Sequence, residues 1–190
     1  MTARLLVPLA LLAAATPAAQ AQSASYEIDR AHTYVTWEVN HQNTSTLRGR
    51  FDKTSGRITL NLAARSGRAE ITVDMGSISS GLAAFNEHLK QDGWLGAVKF
   101  PDATFVGDRF VFAGDKLAAV EGQLTFMGKS LPLTLKAQRF GCYSHPKHKK
   151  MFCGGDFEAV MQRSLWGSTA GLPGEPDTVK LVIQVEAAQL

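Results

Sequence analysis

Apolar and polar residues alternate with a period of two through most of this 190-residue sequence. Successive side chains of a β-strand point to opposite faces, so this alternation is typical of strands with one buried face. Turn-forming residues such as Ser66-Gly67 and Gly114-Asp115 separate the alternating segments. The clearest apolar series are Val35, Trp37 and Val39; Ile58, Leu60 and Leu62; Ala69, Ile71, Val73 and Met75; Leu124 and Phe126; Leu131, Leu133 and Leu135; Phe157, Ala159 and Met161; and Val179, Leu181, Ile183 and Val185.

About eight short strands at this spacing, with no second helical region, predict an all-β antiparallel barrel or sandwich. An eight-stranded barrel is just wide enough to be filled by side chains or to hold one small ligand. The inward set is large, apolar and almost uncharged, so two interpretations stay open: a packed core, or an apolar tunnel for a long hydrophobic ligand. In the tunnel, the alternation places Val35, Trp37, Ile71 and Phe126 on the wall.

The segment "FNEHLKQDGWLGAVKFPDATF", residues 85–105, interrupts the strand pattern. The spacing predicts a helix over Ala83 to Lys90, with Leu82, Phe85 and Leu89 on one face and an end at Gly93. Pro101 then begins the next strand, a position that tolerates a missing N–H. One short helix between barrel strands is expected to lie over an open end, where it plugs the core or lines an entrance.

Residues 1–21 carry the features of a secretory signal peptide. A positive end precedes an apolar run over residues 5–15, and Ala19, Gln20 and Ala21 form a small-x-small cleavage site. We therefore predict a periplasmic or secreted protein whose mature domain is residues 22–190. Without Arg4 the mature part has 19 basic and 17 acidic side chains, a net charge of +2. This balance argues against a nucleic-acid partner.

The two cysteines, Cys142 and Cys153, lie close together in the sequence "CYSHPKHKKMFC". In an exported protein such a pair is expected to form a disulfide. A metal site that includes the intervening His145 and His148, or two free thiols, stays open as an alternative. The basic run that contains Lys147, Lys149 and Lys150 is interpreted first as a solvated loop. A more specific interpretation is that it makes transient contact with an anionic membrane surface.

The usual catalytic signatures are missing from the sequence. It has no G-x-S-x-G elbow, no H-E-x-x-H, no Gly-rich phosphate loop and no C-x-x-C. We therefore predict a protein that is not an enzyme and that needs no cofactor or metal. His88 on the helix and His41 at the end of an inward face are interpreted first as histidines with nearby protein partners, and second as contacts to a ligand head group.

Several segments together resemble the bacterial YceI-like family, whose members are polyisoprenoid-binding, lipocalin-like proteins. No single segment is specific, but their order and spacing agree over essentially the whole mature chain. The matching segments are "YEIDRAHTYVTWEVNH" (26–41), "RGRF" (48–51), "SISSG" (77–81), "FNEHL" (85–89), "KFPDATF" (99–105), "EGQLTFMGKSLPLTL" (121–135) and "RSLWG" (163–167).

The resemblance implies an eight-stranded antiparallel lipocalin-like barrel, with the helix over an open end and an isoprenoid lipid inside. The lipid would be a polyprenyl phosphate or an isoprenoid quinone, held for transport, storage or stress protection. The matched positions that the resemblance places near the ligand or its entrance are His32, His41, Phe85, His88, Leu89, Phe100 and Phe105.

Two positions depart from the family pattern. Leu165 stands where relatives commonly have an acidic residue, and Asn86-Glu87 stands where a basic-acidic pair usually precedes the helix histidine. Head-group preference can therefore differ from that of relatives. Two other functions stay open: a packed barrel that acts as an interaction or stress protein without a ligand, and an enzyme that acts on an isoprenoid lipid. The sequence also leaves a homodimer open.

Overall fold

The computed structural model describes residues 22–190, so the predicted signal peptide of residues 1–21 lies outside the described residues. Strands make up most of this part of the chain. They are β1 (Ala24–Ile28), β2 (Tyr34–His41), β3 (Ser45–Phe51), β4 (Thr54–Asn61), β5 (Ser66–Asp74), β6 (Ile78–Ser79), β7 (Asp102–Ala113), β8 (Lys116–Phe126), β9 (Lys129–Ser144), β10 (Met151–Gln162) and β11 (Thr178–Gln189). One α-helix, α1 (Ala83–Leu89), and two 3₁₀ turns, Met75–Ser77 and Arg163–Trp166, complete the set described over these residues.

Eight of the strands close into an antiparallel barrel. Their order is β1-β4-β5-β7-β8-β9-β10-β11, and pairing between β1 and β11 closes the circuit. β2 pairs with the same edge of β11 as β1, but nearer to the start of β11. β3 then pairs with β2, and the short β6 pairs with β3. The structure therefore confirms the predicted eight-stranded, lipocalin-like barrel.

The alternation in the sequence corresponds to the inner and outer faces of this barrel. Trp37, Phe105, Phe126 and Phe157 are all less than a tenth exposed and belong to one buried cluster. Leu62 departs from the expectation, because β4 ends at Asn61 and leaves Leu62 in the following turn, 47% exposed.

A close approach of β2 and β3 fixes the position of Trp37. Trp37 pairs with Gly49 across the two strands. A Cβ atom at Gly49 would lie 2.4 Å from the indole ring, so only glycine lets this ring lie against the β3 backbone. The "RGRF" segment thus has a packing reason for its glycine.

Helix α1 covers one end of the barrel. It ends at Leu89 with Lys90 as its C-cap, one residue before the predicted end, and Gly93 follows with a positive φ of 80°. Phe85 and Leu89 pack against the main buried cluster, whereas no residue of the helix is fully buried. Leu82 was predicted on the same face but precedes the helix as its N-cap and is 62% exposed.

The opposite end of the barrel carries the turn between β9 and β10. Cys142 and Cys153 face each other across these strands and form a disulfide, as predicted. We call this the hairpin end, and the end under α1 the helix end. Within residues 22–190, no helix is both long enough and apolar enough to cross a membrane.

Candidate ligand-binding site

The barrel interior contains a cavity of about 290 Å³ beneath α1, which we call the outer cavity. Its wall comes from β2, β3, β5, β6, β7, β8, β10 and β11, and α1 and the loop before β11 form its rim. Most of the lining is apolar, and polar side chains are few. The polar or charged lining residues are His41, His88, Arg163, Ser168 and Glu175.

A second cavity of about 130 Å³, the inner cavity, lies toward the hairpin end. Its lining includes Tyr26, Ile58, Phe110 and Phe140, and Cys153 of the disulfide also lines it. The two cavities share four lining residues on four strands: Val35, Val73, Leu124 and Leu181. They therefore lie end to end along the barrel axis with one common wall, and the arrangement suits an elongated apolar molecule.

Nine of the eleven residues predicted to contact a ligand line these cavities. The outer cavity has seven of them: Val35, Trp37, His41, Phe85, His88, Leu89 and Phe126. Ile71 and Phe105 line the inner cavity, to which Val35 also contributes. The structure thus brings together residues from five separate segments of the sequence.

His32 and Phe100 line neither cavity. The His32 side chain is 62% exposed on the outer surface, where its Nδ1 lies 2.6 Å from Asp29 Oδ2. Phe100 packs beside Gly128, where a Cβ atom would lie 3.0 Å from its ring, and Lys99 Nζ lies 5.3 Å from the ring centroid. The geometry therefore gives these two residues no contact with the barrel interior.

His88 stands at the rim of the outer cavity between two aromatic rings. The Phe85 ring is stacked at 6.3 Å and the Trp94 ring is tilted at 5.2 Å, measured between centroids. In residues 22–190, neither the His88 ring nor the His41 ring has a hydrogen-bonding partner. Both imidazoles are therefore available to a polar group at the entrance, contrary to the interpretation that nearby protein groups satisfy them.

Arg163 is a site residue that the sequence analysis missed. It is 7% exposed and donates to three backbone carbonyls, those of Pro176 (2.9 Å), Ser168 (2.9 Å) and Ala170 (2.8 Å). Its guanidinium carbon also lies 5.0 Å from the centroid of the Trp94 ring. Burial lowers the pKa of Arg163, although a guanidinium stays protonated in proteins. The available signal was a basic residue between the apolar series that ends at Met161 and the aromatic residue Trp166.

The loop before β11 is held by a second set of hydrogen bonds. The carboxylate of Asp177 accepts from the Ser164 hydroxyl at 2.6 Å and from the Ser164 N–H at 2.8 Å. These bonds lower the pKa of Asp177. Arg163 and Asp177 together fix the rim opposite α1, so the entrance is built on one side from a helix and on the other from a hydrogen-bonded loop.

The hairpin end has a different chemistry. The disulfide removes both thiolates as metal ligands, which overturns the alternative of a Cys-His metal site. His145 and His148 instead pack together, with ring centroids 4.5 Å apart, and both lie near Phe152. Lys147, Lys149 and Lys150 are exposed in this turn, at the opposite end of the barrel from α1.

A closed antiparallel barrel with an apolar interior and a few polar groups at one entrance defines a lipocalin-like binding protein. Residues 26–187 match the family model of the YceI-like domain, and the chain belongs to this family. It is 30% identical over 172 residues to Protein YceI of Salmonella newport, covering 89% of each chain. It is 35% identical over 133 residues to a UPF0312 protein of Pseudomonas putida, covering 68% of this chain and 69% of the relative.

Solved structures agree on the fold. Burkholderia cenocepacia BcnA superposes with a TM-score of 0.66 at 23% identity, covering 84% of this chain and 98% of that one. A polyisoprenoid binding domain from Saccharophagus degradans, described as implicated in plant cell wall breakdown, gives a TM-score of 0.61 at 15% identity, covering 88% and 99%. At these identities the likeness shows a shared fold.

Proposed function

We propose that this protein is an exported carrier that holds an isoprenoid lipid in its two cavities, for transport, storage or protection under stress. The observation that carries the proposal is the pair of apolar cavities that meet at a common wall inside a closed barrel. The polyisoprenoid binding domain from Saccharophagus degradans, which has the same fold, supports the ligand class. We assign it a binding role and no reaction.

Burial of the chain supplies the affinity in this proposal. Each methylene group removed from water is worth about 0.8 kcal/mol, so several prenyl units bind tightly even after the cost of ordering them. The chain end lies in the inner cavity, whose lining is almost entirely apolar. The head group lies at the helix end, where the rings of His41 and His88 face the entrance.

The first experiment is organic extraction of the mature protein, purified from its own host without detergent, followed by mass spectrometry. We expect about one prenyl lipid per chain, and its mass identifies a polyprenyl phosphate or a quinone. No retained lipid, combined with no binding of added prenyl lipids, would leave the barrel without its proposed ligand. It would favour the alternative of an interaction protein.

A variant at the entrance tests the orientation of the lipid. His88→Ala removes a ring at the rim, so a lipid with a polar head group should bind about threefold to tenfold weaker, the loss of one hydrogen bond. The matching hydrocarbon chain should be affected less. His148→Ala at the hairpin end is the matched control, and an equal effect of both variants would contradict the proposed orientation.

We also propose that the lysine-rich turn makes transient contact with an anionic membrane. Lys147, Lys149 and Lys150 are exposed, and each lysine near such a surface contributes about 1 kcal/mol. Replacing all three with Gln should abolish binding to vesicles that contain an anionic lipid. The same change at Lys99, Lys129 and Lys136, which are exposed elsewhere, is the matched control. If the control abolishes binding instead, the turn is not the contact.

The export and the oligomeric state are part of the same proposal. Residues 1–21 direct secretion, and fractionation of host cells should place the mature chain, starting at Gln22, in the periplasm or the medium. A homodimer remains a prediction, which light scattering coupled to gel filtration measures directly.

A further inference from the structure

Three metal-ligating side chains converge on the outer surface, away from both cavities. Asp29 follows β1, His32 lies in the turn before β2, and Glu186 lies in β11. One ligand atom from each of these residues lies within 4.8 Å of the ligand atoms of the other two. Glu186 is more than 150 positions from the other two residues, so the fold alone creates this cluster.

The backbone that carries the three side chains is fixed by hydrogen bonds. The Asp29 N–H donates to the Glu186 carbonyl at 2.8 Å. The Thr33 hydroxyl donates to the same carbonyl and accepts from the Glu186 N–H, both at 3.1 Å. Thr33 is 2% exposed. The turn and β11 are therefore joined rigidly, and a ligand set on a rigid frame needs little ordering when an ion binds.

Neighbouring groups orient the side chains themselves. The Ala31 N–H binds Asp29 Oδ1 at 2.9 Å, and this leaves Oδ2 facing His32 Nδ1. The Tyr143 hydroxyl donates to Glu186 Oε2 at 3.2 Å, which leaves the second carboxylate oxygen free. Such supporting contacts around ligands are typical of metal sites, in which they set the ring tautomer and the carboxylate orientation.

The donor set selects the class of ion. One imidazole with two carboxylates suits Zn²⁺ and other first-row divalent ions, whereas Ca²⁺ and Mg²⁺ prefer oxygen ligands alone. Zinc bonds to nitrogen and oxygen are about 2.0 to 2.2 Å long, so two ligand atoms on one tetrahedral ion are about 3.3 to 3.6 Å apart. The ligand atoms already lie within 4.8 Å of one another, so shifts of about 1 Å bring them to the spacing of a bound ion.

Beside the cluster lies a surface groove of about 480 Å³, lined by His32, Tyr143 and Glu186 among others. Arg139 is the one arginine that lines this groove, and it is ion-paired with Asp156. The positive charge of Arg139 is therefore balanced and does not repel an ion at the cluster. An ion bound by the three side chains keeps coordination positions open toward this groove, where water or a small ligand completes its shell.

We propose that Asp29, His32 and Glu186 form a binding site for one divalent transition metal ion of the zinc class. The ion takes the place of the proton shared by His32 Nδ1 and Asp29 Oδ2. The site lies outside the barrel wall, and it is independent of the lipid cavities and of the proposed carrier function.

Calorimetric titration of Zn²⁺ into the untagged, chelator-treated mature protein tests this site. We expect one saturable ion per chain. His32→Ala and Glu186→Gln should each weaken binding at least about tenfold, since even the loss of a supporting contact costs a metal site about tenfold to a hundredfold. Zn²⁺ should also raise the unfolding temperature of the native protein and leave that of His32→Ala unchanged.

Two control variants locate the site. His41→Ala, at the helix end, and the paired His145→Ala and His148→Ala changes, in the hairpin turn, should bind Zn²⁺ like the native protein. The proposal is overturned by the absence of one-to-one binding, by native-like binding in His32→Ala, or by loss of binding in the hairpin variant. Mg²⁺ binding as tight as that of Zn²⁺ would also overturn it, because the imidazole would then contribute nothing.

Discussion

The two ends of the barrel share the same strands but differ in how they are closed. At the helix end, α1 has no fully buried residue, and polar side chains surround a cavity of about 290 Å³. At the hairpin end, Cys153 of the disulfide and the rings of Tyr26, Phe110 and Phe140 line about 130 Å³ of apolar space. The disulfide cross-links two neighbouring strands of the wall, whereas α1 packs on the barrel only through partly buried side chains. For the proposed lipid, this difference favours entry through the helix end.

The largest expected effect comes from separating the two cavities. Val35 lines both of them, so Val35→Phe should close the passage and exclude a lipid chain from the inner cavity. Losing burial of about four methylene groups, at about 0.8 kcal/mol each, weakens binding roughly two-hundredfold. A short prenyl lipid that occupies only the outer cavity should bind almost as before. Fluorescence competition with lipids of graded length measures this.

The control for this experiment is Val160→Phe, because Val160 is 63% exposed on the outside of the barrel. It should change the affinity for neither short nor long lipids. If Val35→Phe weakens both lipids equally, the cavities do not act as one tunnel, and the contrast between the two ends does not govern ligand length.

The next effect concerns the stability of the helix end. Arg163→Ala leaves the carbonyls of Ser168, Ala170 and Pro176 without their charged donor, so the free energy of unfolding should fall by about 3 kcal/mol. Urea unfolding measures this loss. Arg163→Lys should recover only part of it, since an ammonium group cannot reproduce the planar fork.

Arg139→Ala is the matched control, because Arg139 is an exposed arginine with the ion-pair partner Asp156. An exposed pair contributes only about 0.2 to 1 kcal/mol. Equal losses for the two arginines would show that the loop before β11 does not depend on the buried guanidinium.

A smaller loss is expected at the hairpin end. Replacing Cys142 and Cys153 with Ser removes a cross-link of 11 positions and should cost about 2 kcal/mol of unfolding free energy, through the entropy of the unfolded chain. Lipid entry should be unaffected, since the entrance lies at the helix end. If lipid exchange accelerates in the variant, the hairpin end is also an entrance.

The sequence predicted the parts of this molecule that depend on local periodicity. Alternation identified the inward residues of β2, β5 and β8, and the helix lies within one residue of its predicted bounds. The errors, Leu62 and Leu82, fall just outside element ends, since Leu62 follows the last residue of β4 and Leu82 precedes the first residue of α1. Terminal positions have fewer neighbours to fix them, so a pattern locates them poorly.

Contacts between distant segments were outside the reach of the sequence. Arg163 became a site residue only when the loop that carries Ser168 and Pro176 folded over it. His32 belongs to a matched family segment, but the turn after β1 directs its ring outward, toward Asp29 and Glu186. Neither outcome leaves a periodic signal, because both depend on three-dimensional packing of loops rather than on strand alternation.

The smallest expected effect is the pH dependence of the rim at the helix end. The bonds from Ser164 hold the pKa of Asp177 below its ordinary value of 3.8. A carboxylate with a depressed folded pKa contributes stability above its unfolded pKa and loses it as the pH falls through the folded value. Asp177→Asn should therefore lower the unfolding temperature at neutral pH, and the difference from the native protein should shrink below about pH 4.

Asp115→Asn, at an exposed turn of the hairpin end, is the control, and its unfolding temperature is measured in the same way. If the difference in unfolding temperature between Asp177→Asn and the native protein stays constant from neutral pH to about pH 3, the Ser164 bonds do not depend on the carboxylate charge. The rim would then be held by Arg163 alone.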